Sequence, residues 1–186
     1  MVRYSIHYLK HNVKEENAKM HSKTQKIVIS ALMAALTCVA TMVIKIPSPL
    51  KGYINLGDCV VLVVGWTISP LYGFLAAGLG SALADLFLGY ALYAPATFVI
   101  KGTMALIAFI CFKLLNKRIR KFPARLIGGA SAETFMALGY FVFEGCMYGF
   151  AASTVNIPAN IVQGVAGLII GLILIKVFEK AAITIK

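Results

Sequence analysis

Long apolar segments separated by short polar connections make up most of the chain. The six apolar segments lie at about 26–46, 55–69, 70–89, 95–115, 124–148 and 157–178. A transmembrane helix needs roughly 20 apolar residues to cross the hydrocarbon core of a bilayer. The breaks between segments contain prolines, glycines or charges, as in KIPSPLKGY and NKRIRKFPAR, and these residues end helices. The pattern predicts an all-α, polytopic membrane protein built as a six-transmembrane-helix bundle.

The composition agrees with this class. The chain has 186 residues, of which 60% are hydrophobic and only 13% charged, whereas a soluble domain carries about 25% charged residues. We expect a polar basic tail over residues 1–25 and one membrane domain over residues 26–180. This division leaves no room for a soluble catalytic or nucleotide-binding domain. The predicted location is the cell membrane, with multiple spans.

The net charge of +11 predicts orientation rather than nucleic-acid binding, because the cations lie between the apolar segments. Fifteen of the 18 lysines and arginines fall in the N-terminal tail, the 113–125 region or the C-terminus, while Lys45 and Lys51 lie at the other face and Lys101 lies within a span. Cytoplasmic segments of membrane proteins are rich in Lys and Arg. Both termini are therefore predicted to be cytoplasmic, which requires an even number of spans.

Five ionisable residues interrupt the apolar segments: Asp58, Asp85, Lys101, Glu133 and Glu144. A charge inside the bilayer costs about 2.5–3.5 kcal/mol on insertion scales. We therefore expect these side chains to face one another, water or a ligand.

With the predicted orientation, most polar residues of the spans lie in the outer half of the bilayer. Helical spacing places them on shared faces, since residues at i, i+4 and i+7 are neighbours; Asn156, Asn160 and Gln163 are one example. We predict a polar cup, open to the outside, that binds a small molecule. Its candidate residues are Asn55, Asp58, Asp85, Tyr93, Thr97, Lys101, Tyr140, Glu144, Tyr148, Asn156, Asn160 and Gln163.

Structural roles compete with ligand binding for several of these residues. Asp58 is equally suited to cap the second helix, and Lys101 is suited to pair with Asp85 or Glu133. Glu133 lies deeper and is expected to be structural more often than ligand-binding. Tyrosines at 53, 90 and 93 suit either ring stacking or an interfacial aromatic belt, and Trp66 is expected in the belt.

The chain lacks the motifs of an enzyme. It has no Gly-rich phosphate loop, no HExxH zinc motif and no nucleophile elbow, and its four cysteines are isolated. We therefore predict no catalytic residues, no metal and no cofactor. A binding subunit that takes its energy from partners is favoured over a non-transporting scaffold. The main alternative is an autonomous small secondary transporter, coupled to protons through Asp85 or Glu133.

Three segments resemble a known family: ALMAALTCVATMVIKIPSP, GYINLGDCVVLVVGWTISPLYGFLAAGLGSALADL and GYALYAPATFVIKGTMALIA. They are similar to substrate-binding S components of energy-coupling factor (ECF) vitamin transporters, in the branch for hydroxymethylpyrimidine, pyridoxine or riboflavin. The resemblance covers about residues 24–178. It implies a six-helix subunit that captures its ligand outside and works with a transmembrane T component and two ATPases.

The resemblance also assigns two regions. The family's AxxxA element corresponds to Ala31 and Ala35, which would contact the T component. The segments KIPSPLKGY and LGYALYA would form the gate of the binding site.

Overall fold

The structure is a computed structural model that describes residues 2–48 and 52–180, with side chains from Lys23 onward. Within these residues the elements are α1 (Val2–Val43), β1 (Lys45–Pro47), β2 (Tyr53–Asn55), α2 (Gly57–Thr67), α3 (Pro70–Phe87), α4 (Ala94–Leu115), α5 (Lys121–Tyr148), α6 (Phe150–Ser153) and α7 (Ile157–Lys180). A single 3₁₀ turn, Thr154–Asn156, joins α6 to α7. The backbone of the predicted tail is continuous with α1.

The all-α class and the membrane-helix bundle are confirmed. Five segments of the described chain are long and apolar enough to cross a membrane: Lys23–Val43, Pro70–Phe87, Ala94–Leu115, Lys121–Tyr148 and Phe150–Lys180. The second predicted span corresponds to α2, which is shorter than the predicted range 55–69. Its 11 residues extend only about 17 Å at 1.5 Å per residue.

The short helix α2 forms the centre of the bundle. Val61, Leu62, Val63 and Val64 have no exposed surface, because α2 packs against α1, α4 and α7. A helix that is hydrophobic on every side is a buried helix. This position explains why α2 has no polar face except at its first turn, where Asp58 lies.

Small residues allow the helices to approach one another closely. A Cβ atom on Gly65 would lie 2.6 Å from the carbonyl oxygen of Ala105, and one on Gly80 would collide with the carbonyl oxygen of Ala34. Close backbone approach of this kind is typical of helix pairs in membranes. These two contacts join α2 to α4 and α1 to α3.

A β-hairpin follows α1, where the sequence predicted only a helix break. Strands β1 and β2 are antiparallel, with Lys45 opposite Asn55, Ile46 opposite Ile54, and Pro47 opposite Tyr53. Prolines and a glycine in this segment disfavour a helix, and residues 49–51 lie outside the described part. The hairpin leads directly into α2.

The prediction that Trp66 belongs to an interfacial aromatic belt is wrong. Its side chain is only 5% exposed. The indole packs against Gly129, and the guanidinium carbon of Arg125 lies 6.0 Å from the ring centroid. The apolar residues that do face outward are aliphatic in the main, as on α1 and α7.

Candidate binding site

A small polar cavity lies beneath the hairpin, between the first turns of α4 and α7 and the last turns of α1, α3 and α5. The space open to the centre of a water molecule is about 30 Å³. Ten of the twelve predicted residues line it: Asn55, Asp85, Tyr93, Thr97, Lys101, Tyr140, Glu144, Asn156, Asn160 and Gln163. Polar groups from six separate elements therefore converge on one space.

Two predicted residues, Asp58 and Tyr148, are not part of the cavity lining. Asp58 lies directly below the cavity, where its carboxylate forms a buried ion pair with the Lys101 ammonium. The two side chains are 0% and 2% exposed. The prediction that Lys101 pairs with Asp85 or Glu133 is therefore wrong. The first turn of α2 places Asp58 against the Lys101 ammonium instead. α2 has no side-chain cap hydrogen bond, but Asp58 lies in its first turn, where a carboxylate is favourable to the helix dipole.

Gln163 connects the ion pair to the hairpin. Its Nε2 donates to Asp58 Oδ2 at 2.7 Å, and its Oε1 accepts from the backbone N–H of Asn55 at 2.9 Å. An amide has two donors and one acceptor oxygen, so Gln163 satisfies both neighbours at once. It joins α7, α2 and β2 at the floor of the cavity.

The wall formed by α3 carries a carboxylate that is only partly satisfied. Asp85 Oδ1 accepts a 2.5 Å hydrogen bond from the Tyr53 hydroxyl, while its buried Oδ2 has no hydrogen-bond partner among the described residues. Burial, together with the charge of Asp85, raises the pKa of Tyr53, so this hydroxyl keeps its proton and remains a donor. Asp85 thus holds the hairpin with one oxygen, while the other is buried without a hydrogen-bond partner among the described residues.

On α5, the Glu144 carboxylate is also hydrogen-bonded through only one of its two oxygens. Its Oε1 accepts from Asn156 Nδ2 at 2.8 Å and, at a longer 3.5 Å, from the Tyr93 hydroxyl. Its buried Oε2 has no partner in the described part of the chain. An unpaired buried carboxylate oxygen costs free energy, and a ligand N–H or O–H would remove that cost.

Aromatic rings surround the side of the cavity nearest the hairpin. The Tyr53 and Tyr90 ring centroids are 4.8 Å apart, and those of Tyr93 and Phe143 are 5.1 Å apart. Tyr53 and Tyr93 line the cavity, whereas Tyr90 does not. The Lys101 ammonium lies 5.4 Å from the centre of the Tyr140 ring. A flat ligand in the cavity would have the rings of Tyr53, Tyr93 and Tyr140 beside it.

Some lining residues were outside the predicted set: Thr41, Ser48, Gly52, Tyr53, Ile54 and Ser81. Ser81 had a usable signal, because it is one helical turn before Asp85. Among the hairpin residues, Tyr53 had been considered for ring stacking and its segment for the gate, but helical spacing says nothing about a segment that folds back over a bundle.

Glu133 lies below the cavity and does not line it. A Cβ on Gly167 would be 3.0 Å from Glu133 Oε1 and 2.7 Å from Asp58 Cβ, so the two acidic side chains are close. Neither oxygen of Glu133 has a hydrogen-bond partner in the described residues. Its position agrees with the deep location expected from the sequence.

The AxxxA residues lie on the outer face of α1. Ala31 and Ala35 are exposed, whereas the backbone of Ala34 faces Gly80 of α3. The alanine pair is therefore not used for packing within the described bundle.

A buried polar cavity at one end of a membrane-helix bundle is an arrangement that suits the binding of a small molecule. Residues 21–180 match the family model described as "ECF-type riboflavin transporter, S component". The chain belongs to this family of ECF S components. The resemblance seen in the sequence is confirmed, and the protein is an integral membrane subunit of the vitamin-transport class.

Two related proteins align with most of this chain. A Pyrococcus woesei protein described as "Uncharacterized protein in gap 3'region" is 37% identical over 134 residues, which cover 72% of this chain and 87% of that protein. The thiamine precursor transporter HmpT of Lactococcus lactis subsp. cremoris is 25% identical over 162 residues, covering 86% of this chain and 90% of the transporter.

Solved structures share the fold. The S component of a bacterial ECF transporter matches with a TM-score of 0.69 at 20% identity, covering 86% of this chain and 98% of the other. The S component for biotin from an ECF-type ABC transporter matches with a TM-score of 0.65 at 16% identity, covering 86% and 93%.

Proposed function

We propose that this chain captures a single-ring, nitrogen-containing vitamin or vitamin precursor, such as hydroxymethylpyrimidine or pyridoxine, at the external face of the membrane. It delivers the ligand inward as the S component of an ECF importer, together with a T component and two ATPase subunits. The cation distribution along the chain supports cytoplasmic termini, which place the cavity at the external face.

The observation that supports this proposal best is the pair of half-satisfied carboxylates. Asp85 Oδ2 and Glu144 Oε2 are buried acceptors without hydrogen-bond partners among the described residues, and both side chains line the cavity. An aminopyrimidine or a hydroxymethylpyridine carries N–H and O–H donors that match them. The side chains of Tyr53 and Tyr93 offer ring contacts, worth about 0.5–1.5 kcal/mol each.

Size favours one ring over the larger riboflavin. The space open to the centre of a water molecule is about 30 Å³, roughly enough for two waters, so any of these ligands requires the hairpin to move. A tricyclic flavin with its ribityl chain would require the larger displacement. HmpT, by its name a thiamine precursor transporter, supports the pyrimidine. The family model's riboflavin description supports the alternative, so riboflavin belongs in the test.

The exposed alanines support the T-component contact. Ala31 and Ala35 leave a shallow surface on α1, and small residues at such spacing allow a helix of another subunit to approach closely.

Calorimetry of the purified protein in detergent tests the ligand assignment. Hydroxymethylpyrimidine and pyridoxine are titrated beside riboflavin, into wild type and into the variants Glu144→Gln and Asn160→Ala. We expect one of the single-ring ligands to bind, and each variant to weaken it about tenfold or more, since a hydrogen bond to a charged group contributes about 1.5–3 kcal/mol.

Matched controls come from the opposite end of the bundle. Glu179→Gln and Asn116→Ala make the same chemical changes outside the cavity, and they should leave affinity unchanged. Unchanged affinity in both cavity variants would place the ligand elsewhere, and tight binding of riboflavin alone would refute the single-ring assignment.

A proton-coupled secondary transporter is the second candidate. The partnerless carboxyl of Glu133, close to Asp58, is the observation that favours it. Protein reconstituted alone in vesicles would then take up ligand when a proton gradient is applied. An ECF S component requires its T component and ATPases for that uptake.

A further inference from the structure

A second cavity lies at the opposite end of the bundle from the candidate binding site. It is a groove of about 930 Å³ between the end of α2, the α4–α5 connection and the last turn of α7. Arg125 in the groove and Glu144 in the first cavity are both on α5, roughly 28 Å apart along the helix axis. The groove is therefore separate from the site described above.

The groove is strongly basic. Its lining contains Lys113, Lys117, Lys121 and Arg125, against one carboxylate, Glu179. Glu179 Oε1 contacts Arg125 Nη2 at 2.8 Å and Lys121 Nζ at 3.6 Å. One carboxylate thus faces four cations, and the excess positive charge favours an anion.

Two buried donors point to a bound acceptor. Trp66 is 5% exposed and Arg125 is 7% exposed, and both line the groove. Trp66 Nε1 and Arg125 Nε have no hydrogen-bond partner among the residues that the structure describes. Buried N–H groups are almost always paired, so an acceptor that entered the groove and shifted these two side chains slightly would complete both.

The remaining walls are apolar. Ile68, Pro70, Phe109 and Phe112 line the groove beside the cations, and Leu71 and Phe122 are exposed close by in sequence. A free anion makes no favourable contact with apolar walls. A lipid has acyl chains that can pack against them, together with a phosphate for the cations. Basic pockets between membrane helices on the cytoplasmic side suit anionic lipid head groups, and Arg suits phosphate oxygens.

We propose that this groove is a binding site for the phosphate head group of an anionic membrane lipid, with Arg125 and Trp66 as inner donors and Lys113 and Lys117 as outer cations. With the cytoplasmic termini proposed above, the lipid belongs to the inner leaflet.

The chain's single tryptophan provides the assay, because Trp66 itself lines the groove. Full-length protein in neutral detergent is titrated with phosphatidylglycerol, with phosphatidylcholine of the same acyl chains, and with inorganic phosphate, while Trp66 emission is recorded. Native mass spectrometry of the same samples counts the lipids retained. We expect phosphatidylglycerol alone to change the emission in a saturable way and to remain bound.

A charge-matched pair of variants separates this site from general attraction to a basic surface. Lys113→Gln/Lys117→Gln removes two exposed groove lysines, and Arg118→Gln/Arg120→Gln removes two exposed arginines that do not line it. The first variant should weaken phosphatidylglycerol binding about tenfold or more, because each lysine near the surface contributes to attraction of anionic lipid. The second should bind as wild type does.

Three results would overturn the proposal. Equal losses in the two variants would show unspecific attraction, and an equal response to phosphatidylcholine would show no head-group preference. Saturation by inorganic phosphate at similar concentration would assign the groove to a free anion.

Discussion

The buried pair of Asp58 and Lys101 makes a sharp prediction about stability. Replacing Lys101 with methionine keeps the length and apolar stem of the side chain but leaves the Asp58 carboxylate without its ammonium. The two side chains are 0% and 2% exposed, so water does not replace the lost partner. Removing one member of a buried ion pair costs about 3–5 kcal/mol.

Restoring neutrality should recover most of that loss. In the double variant Asp58→Asn/Lys101→Met, Gln163 Nε2 still has an amide oxygen to donate to, as it now donates to Asp58 Oδ2. Replacing both members of a buried pair is often neutral. We expect the double variant to lie within about 1 kcal/mol of wild type, a coupling energy of roughly 2 kcal/mol or more.

Thermal unfolding of wild type, Asp58→Asn, Lys101→Met and the double variant in one detergent measures this cycle. For a chain of this size about 1 kcal/mol shifts Tm by 2–4 °C, so Lys101→Met should lower Tm by roughly 6–20 °C. The exposed Lys176→Met serves as control and should change Tm by little. A double variant no more stable than Lys101→Met would refute the pairing of these two residues.

Three further changes have expected outcomes. Tyr53→Phe removes the hydrogen bond from the hairpin to Asp85 and should cost about 1–2 kcal/mol in thermal unfolding; a loss no larger than that of Tyr72→Phe would contradict this role. Ala31→Trp should leave ligand affinity intact and abolish co-purification with a T component, while Ala130→Trp on α5 should not; survival of the complex would exclude the alanine surface. Gly65→Leu must displace the Ala105 backbone and should destabilise the protein by about 3 kcal/mol, judged against Gly73→Ala, whose added Cβ would meet only ordinary contacts; normal Tm would show that α2 and α4 separate freely.

Helical spacing was sufficient to find most of the cavity. Asn156, Asn160 and Gln163 repeat at i, i+4 and i+7, and in the structure all three line the same space as Glu144. The cost of placing such groups in lipid forces them inward, so position along each apolar segment predicts both face and depth.

Pairings between helices were not predictable in the same way. Lys101 had three acidic candidates in the spans besides Asp58, and only the packing of α2 at the centre of the bundle selects Asp58. The prediction for Trp66 was wrong for the same reason. A tryptophan near the end of a span is typical of the membrane interface, but α2 is a short central helix, and this position on it is buried. The hairpin was missed because its strand pairing depends on contacts between two short segments.

The most direct measurement is mass spectrometry of the small molecules released by heating the purified protein. Wild type should release one single-ring pyrimidine or pyridine carrying amino or hydroxymethyl groups, and Glu144→Gln, purified in parallel, should release much less of it. Riboflavin as the released compound, or equal release from both proteins, would contradict the account of the cavity.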